Sequence, residues 1–106
     1  MNTWARGLDA RLLPWFLALV RLAQRMDPSA RVTSGRRSRA EQARLYRRYV
    51  AGQSRFPAAP PGRSQHEKGR AIDLVARPDV LRRLGRIWER AGFTWGGRRD
   101  PIHFEG

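Results

Sequence analysis

Ser64-Gln65-His66-Glu67-Lys68-Gly69-Arg70-Ala71-Ile72-Asp73 carries one of the chain's two histidines and, beyond a glycine, an aspartate among apolar residues. Ala71 to Val75 alternates as a strand, with Ala71, Asp73 and Val75 on one face and Ile72 and Leu74 on the other. On a straight strand His66 and Asp73 would point to opposite faces; Gly69 permits a turn or bulge that lets imidazole and carboxylate converge. An aspartate on a core strand is costly to bury without a partner, and either a metal ion or an arginine would serve.

The other histidine lies in Trp95-Gly96-Gly97-Arg98-Arg99-Asp100-Pro101-Ile102-His103-Phe104-Glu105. Strand alternation sends His103 and Glu105 to one face. Alone, such a histidine reads as structural. With His66 and Asp73 it fits a catalytic zinc site, three N/O ligands with one position left for water, and the expectation is one Zn2+ per chain. Hydrolysis there also needs a base that is not a ligand. The HExxH pattern is absent, since position 70 is Arg70. Asp100, on the turn before His103, is the better candidate, with Glu67 and Glu105 behind it.

Outward from these stretches the chain reads as α+β, a small antiparallel sheet flanked by helices. Pro14 suits a first helical turn, and Phe16, Leu19, Val20 and Ala23 recur at helical spacing in a helix over about 12–26, stopped by Asp27-Pro28. Arg31 to Ser34 reads as a strand. Ser38 with Glu41 forms a capping-box pattern opening a helix to about Ala51, whose less polar positions are Ala43, Leu45, Tyr46, Tyr49 and Val50. Gln53 to Gln65, with Pro57, Pro60 and Pro61, is a long loop of the functional or mobile kind. A helix from Pro78 to Arg90 carries Val80, Leu81, Leu84, Ile87 and Trp88, and paired strands over Phe93–Trp95 and Ile102–Phe104 close the chain.

The 106 residues make one domain, 1–106, with a modest core. Without cysteine there is no disulfide scaffold, thiolate metal site or cysteine nucleophile. Of 22 basic residues only Lys68 is lysine, and the net charge of +13 suits nucleic acid, anionic lipid or an acidic wall polymer. Leu12 to Val20 is too short to span a membrane and lacks a cleavage site, so neither a signal peptide nor a transmembrane segment is expected.

Ser64-x-His66-x-x-Gly69-x-Ala71-x-Asp73 resembles the SxHxxGxAxD signature of the VanY-type D-alanyl-D-alanine carboxypeptidases and the related phage L-alanyl-D-glutamate endopeptidases. Trp95-Gly96-Gly97 with Asp100-Pro101-x-His103-Phe104-Glu105 is similar to their closing WGG…DPxHFE pattern. Val32-Thr33-Ser34-Gly35-Arg36-Arg37-Ser38, then Gln42 and Leu45-Tyr46, resembles their SGYRS…Q..LY segment, with Arg36 in place of the tyrosine. The three blocks run in the family's order through a motif-bearing core of about 31–105.

The resemblance implies a hedgehog-like D-Ala-D-Ala peptidase fold, with His66, Asp73 and His103 as zinc ligands and Asp100 as the catalytic acid–base. It implies that Arg37 faces the substrate carboxylate or tetrahedral oxygen, with Ser64 and Gln42 near the substrate. The expected function is hydrolysis of peptidoglycan stem peptides by metal-activated water, as endopeptidase or carboxypeptidase. The protein would be a monomer, cytoplasmic until released to the wall as a phage lysin is, with its cations against an anionic wall or membrane. The rival reading is an inactive basic module for nucleic acid or another polyanion, built on Arg36-Arg37-Ser38-Arg39 and Arg44, Arg47 and Arg48.

Overall fold

Apolar spacing decides which helices reach the core. The computed structural model describes residues 3–106. After a short 3-10 turn at Thr3–Ala5 come α1 (Leu13–Met26), β1 (Arg31–Ser34), α2 (Arg39–Val50), β2 (Ala71–Val75), α3 (Pro78–Arg90), β3 (Thr94–Trp95) and β4 (His103–Glu105). Pro14 sits in the first turn of α1, and the buried residues of that helix are Phe16, Leu19, Val20 and Ala23. Helix α3 buries Val80, Leu81, Leu84, Gly85 and Trp88, whereas Ile87 is exposed. Together with Ile72, Leu74 and Phe104 from the sheet, these two helices enclose one apolar cluster. Trp88 lies at its centre, stacked on Phe16 and tilted against Phe93, and its indole N–H donates to Glu105 O at 2.9 Å.

Helix α2 obeys different rules. Its capping box forms as expected: Ser38 Oγ accepts from Glu41 N at 3.1 Å and Glu41 Oε1 accepts from Ser38 N at 3.0 Å. Yet its only buried residue is Gln42, and Tyr49 and Val50 are exposed. A cap is worth about 1 kcal/mol, whereas a buried Leu or Phe contributes about 1.5–3 kcal/mol. Local signals and polar contacts therefore hold α2, which lies against the cleft rather than the core.

The four strands form an antiparallel sheet in the order β1-β2-β4-β3, so the α+β expectation holds. Strand β4 sets Phe104 opposite Ile72 and His103 opposite Asp73. On the other edge of β2 the register slips around Thr33, which brings Ser34 opposite Asp73. The alternation expected for β2 is present, but both of its faces are covered, one by the core and one by the polar cleft, so Ala71 to Leu74 are all buried.

The N-terminal stretch before α1 packs beneath the loops that carry the site. Asp9 N donates to Gly69 O at 2.9 Å. Gly69 has φ +71°, and a Cβ there would run into Gly7 O, so both backbone shape and space require glycine. A Cβ at Gly35 would likewise meet Trp4 O. Among the described residues no helix is long and apolar enough to cross a membrane.

One buried carboxylate ties α1 to α3. Asp27, 4% exposed, accepts from Ser29 N and Oγ through Oδ1 and from Arg77 N through Oδ2 at 2.8 Å. The hydrogen bond from the Ser29 side chain, followed by those from the Arg77 and Ser29 backbones, lowers its pKa below the usual 3.8. A depressed folded-state pKa adds stability above the unfolded value and loses it as pH falls through the folded one. Asp27→Ala should therefore lower the urea midpoint at pH 7, with the gap to the parent narrowing below about pH 4. A gap unchanged by pH would assign the loss to packing alone.

Candidate metal centre

Sheet register, one turn and one loop bring together three atoms of the kind that can bind a metal. Asp73 and His103 face each other across β2 and β4, and the turn through Gly69 folds His66 back over them. His66 Nε2 lies 3.1 Å from Asp73 Oδ1, and His103 Nδ1 lies 3.6 Å from the same oxygen. The three ligating atoms all fall within 4.8 Å of one another. A tetrahedral zinc with bonds of about 2.0–2.1 Å requires its ligand atoms to stand about 3.3 Å apart, and these two distances bracket that value.

The hydrogen bonds on the far sides of the rings fix which nitrogens face inward. His66 Nδ1 donates to Gly35 O at 2.8 Å, and a carbonyl can only accept, so Nε2 is left free to present its lone pair. His103 Nε2 donates to Glu105 Oε1 at 2.7 Å, which frees Nδ1. Partners of this kind set the tautomer and orientation of metal-ligating histidines. Three lone-pair atoms at one point repel unless a proton or metal cation lies between them. The donor set, two imidazoles and a carboxylate, fits zinc.

Asp73 divides its two oxygens. Oδ1 faces the histidines, and Oδ2 accepts from Arg37 Nη2 at 2.6 Å, so the arginine-partner reading and the metal-ligand geometry coexist. Burial works to raise its pKa, but when the two imidazoles are protonated instead, their hydrogen bonds and the charges of His66 and Arg37 outweigh it, holding Asp73 well below the usual carboxylate range. For His103, burial disfavours the charged form; hydrogen bonds to Asp73 and Glu105, with their charges, outweigh it and raise its pKa.

Arg37 is itself held on three sides. Nε donates to Ser34 Oγ at 2.9 Å and Nη1 to Gln42 Oε1 at 3.1 Å, in addition to the pair with Asp73. Three of its five N–H groups are thereby engaged and two are left. Gln42, 1% exposed, also donates from Nε2 to Ala59 O at 2.9 Å, clamping the long loop to α2. Ser64 Oγ accepts from His66 N at 3.2 Å. All these side chains except Ser34 line a cavity of about 430 Å³, shared with Asp73, Asp100, His103 and Glu105.

Asp100 therefore stands in the same cavity as the three candidate ligands. Burial first, then the negative charge of Asp73, raises its pKa. Of the other two acidic candidates, Glu105 orients His103, and Glu67 binds the backbone N–H groups of Gly62 and Ser64, bracing the loop. The sequence reading passed over Ser34 and the Gly35 carbonyl. The first is placed by a register slip, and the second is a backbone atom that no residue type announces.

The family model described as VanY, D-alanyl-D-alanine carboxypeptidase, matches residues 5–95. No curated protein is significantly similar in sequence. Among solved structures, the chain is similar to the L-Ala D-Glu endopeptidase ChiX of Serratia marcescens, at 29% identity and a TM-score of 0.60 over 95% of this chain and 81% of that one. It also resembles the vancomycin-resistance D,D-pentapeptidase VanY of a VanB-type cassette, solved as a mutant in complex with Zn(II), at 23% identity and 0.69 over 92% and 71%. VanYB in complex with D-alanine-D-alanine gives 23% and 0.70 over 92% and 70%. Because the model matches most of this chain, the chain belongs to the VanY D-alanyl-D-alanine carboxypeptidase family.

Proposed function

We propose that the protein is a zinc peptidase acting on peptidoglycan stem peptides, cutting either an L-Ala–D-Glu bond within the stem or a terminal D-Ala–D-Ala bond. The observation that carries this reading is the meeting of His66 Nε2, Asp73 Oδ1 and His103 Nδ1, each oriented from behind, in a cavity that also holds Asp100. The relatives' names point to both bonds: ChiX is an L-Ala D-Glu endopeptidase, and VanYB is described with D-alanine-D-alanine bound.

His66, Asp73 and His103 would hold the ion, which supplies Lewis-acid polarisation of the scissile carbonyl and a lowered pKa for water. Asp100 is the proton carrier. Its raised pKa moves it toward the range in which a carboxylate both takes and returns a proton near neutral pH. It takes the proton from the attacking water and returns it to the leaving amine. Arg37 keeps Asp73 in place and turns its two remaining N–H groups toward the negative charge that develops on the substrate oxygen. Gln42 fixes Arg37 against α2 and holds the loop wall, and Ser64 holds the turn that presents His66. The +13 charge favours an anionic wall or membrane as the surface on which the enzyme works.

Metal analysis of the purified, zinc-loaded protein should find about one zinc per chain, and His66→Ala should lose it. A parent that binds no zinc would sink the proposal. Asp100→Ala should keep the metal while hydrolysis falls by about 10²–10⁴-fold, measured by mass spectrometry of stem peptides. The same spectra assign the bond: loss of terminal D-Ala marks a carboxypeptidase, and a break after L-Ala an endopeptidase. Gln42→Leu strands Arg37 Nη1 and Ala59 O, and should cost about 1–3 kcal/mol in denaturation. Amide exchange should then quicken across residues 54–63.

A further inference from the structure

Asp73 and Asp100 are held in opposite ways. An arginine and two histidines meet the Asp73 carboxylate, whereas no hydrogen bond from the described residues reaches the carboxyl of Asp100. Where that group stands is therefore set by the backbone of its turn. On one side of the turn, Gly97, Arg98 and Pro101 border a second cavity of about 470 Å³ that shares no lining residue with the first. Little is packed behind the turn there, and its brace is Trp95. The indole N–H donates to Pro101 O at 2.8 Å, one residue beyond Asp100. The ring lies against α3 at Gly85, so close that a Cβ on residue 85 would strike it. Glycine inside a helix is destabilising relative to alanine, and Gly85 is the only glycine within α1, α2 and α3. A Cβ on Gly96 would in turn run into Asp100 O and crowd the Cβ atoms of Asp100 and His103 at 3.0 Å. The turn thus runs from a ring seated on α3 to an acid packed beside His103.

We propose that Trp95 is a positioning residue for Asp100: seated on Gly85 and bonded to Pro101 O, it fixes the turn that sets the acid beside the candidate metal ligands. The proposal rests on the peptidase reading above and adds to it the group through which α3 governs the reaction. Trp95 is absent from the lining of the cleft, so it acts through the turn and not on the substrate. Without it the turn would be tied only at its sheet end, by His103 N to Asp100 O at 3.0 Å and Gly96 N to His103 O at 2.8 Å. Proton transfer demands hydrogen-bond reach, and a misplacement of about 1 Å costs about a hundredfold in rate.

Trp95→Phe keeps a ring on Gly85 and removes the N–H. With the zinc-loaded protein and a synthetic pentapeptide stem containing both the L-Ala–D-Glu and D-Ala–D-Ala bonds, its kcat should fall about ten- to a hundredfold, with KM and zinc content unchanged. Gly85→Ala, which displaces the ring and leaves the N–H, should lower kcat in the same way. Val80→Ala, a core truncation on the same helix, should lower the urea midpoint and keep kcat. Hydrogen exchange at the His103 amide should quicken in the Trp95 and Gly85 variants while α1 stays protected. Parent-like kcat in either of these two variants, once folded, overturns the proposal. So does an equal loss of kcat in Val80→Ala, the mark of a merely structural role. If the parent cleaves no stem peptide, the peptidase reading is what has failed, and the His103 exchange rate then decides by itself whether Trp95 holds the turn.

Discussion

One carboxylate organises the site. Asp73 gives one oxygen to Arg37 and turns the other toward two histidines, and each of those partners is anchored elsewhere, to Ser34 and Gln42, to Gly35, and to Glu105. A buried negative charge is tolerated only when its surroundings compensate it. Around Asp73 that compensation recruits β1, α2, the Gly69 turn and β4. Losing the carboxylate would leave a guanidinium and two imidazoles facing one another, so the arrangement stands or falls with this residue.

The sheet keeps this polar cluster apart from the apolar core with one layer of backbone. Ile72, Leu74 and Phe104 pack against α1 and α3, while Asp73, His103 and Glu105 alternate with them and face the cleft. The spacing of Asp73 and His103, two of the three candidate metal ligands, is therefore inherited from strand pairing. Aromatic packing around Trp88 stiffens the same strands, and the Trp88 N–H bond to Glu105 O fixes the end of β4 directly. On the cleft side, hydrogen bonds to the loop at Ala59, Gly62 and Ser64 replace apolar contacts as the source of rigidity.

Much of this was legible in the sequence, for identifiable reasons. Helices α1 and α3 bury one stripe each, so the spacing of Phe16, Leu19, Val20 and Ala23 named the core face residue by residue. His66, Asp73 and His103 were visible as ligand types because so few residues of that chemistry exist in the chain. The turn at Gly69 that lets His66 meet Asp73 was legible too, whereas spacing could not show the strand register that sets Asp73 opposite His103. Helix α2 was readable at its cap and not in its packing, since Tyr49 and Val50 meet solvent and Gln42 takes the buried position. Nor did composition distinguish Arg37 from the other arginines. Family motifs pointed to it, and its three hydrogen-bonding partners lie at different distances along the chain.

The contacts made by the first residues bear on how the molecule assembles. Trp4 packs against Gly35, and Asp9 bonds to Gly69, about sixty residues downstream. During synthesis this segment is made before Gly35 and Gly69 and has no surface to dock on until both are in place. Its ordering entropy is recovered only at that late stage. Docking then places backbone directly beneath the turns that present His66 and its Gly35 partner. The stretch from Trp4 to Asp9 thus acts as a closing stay, and completion of the cleft is coupled to residues far from it in sequence.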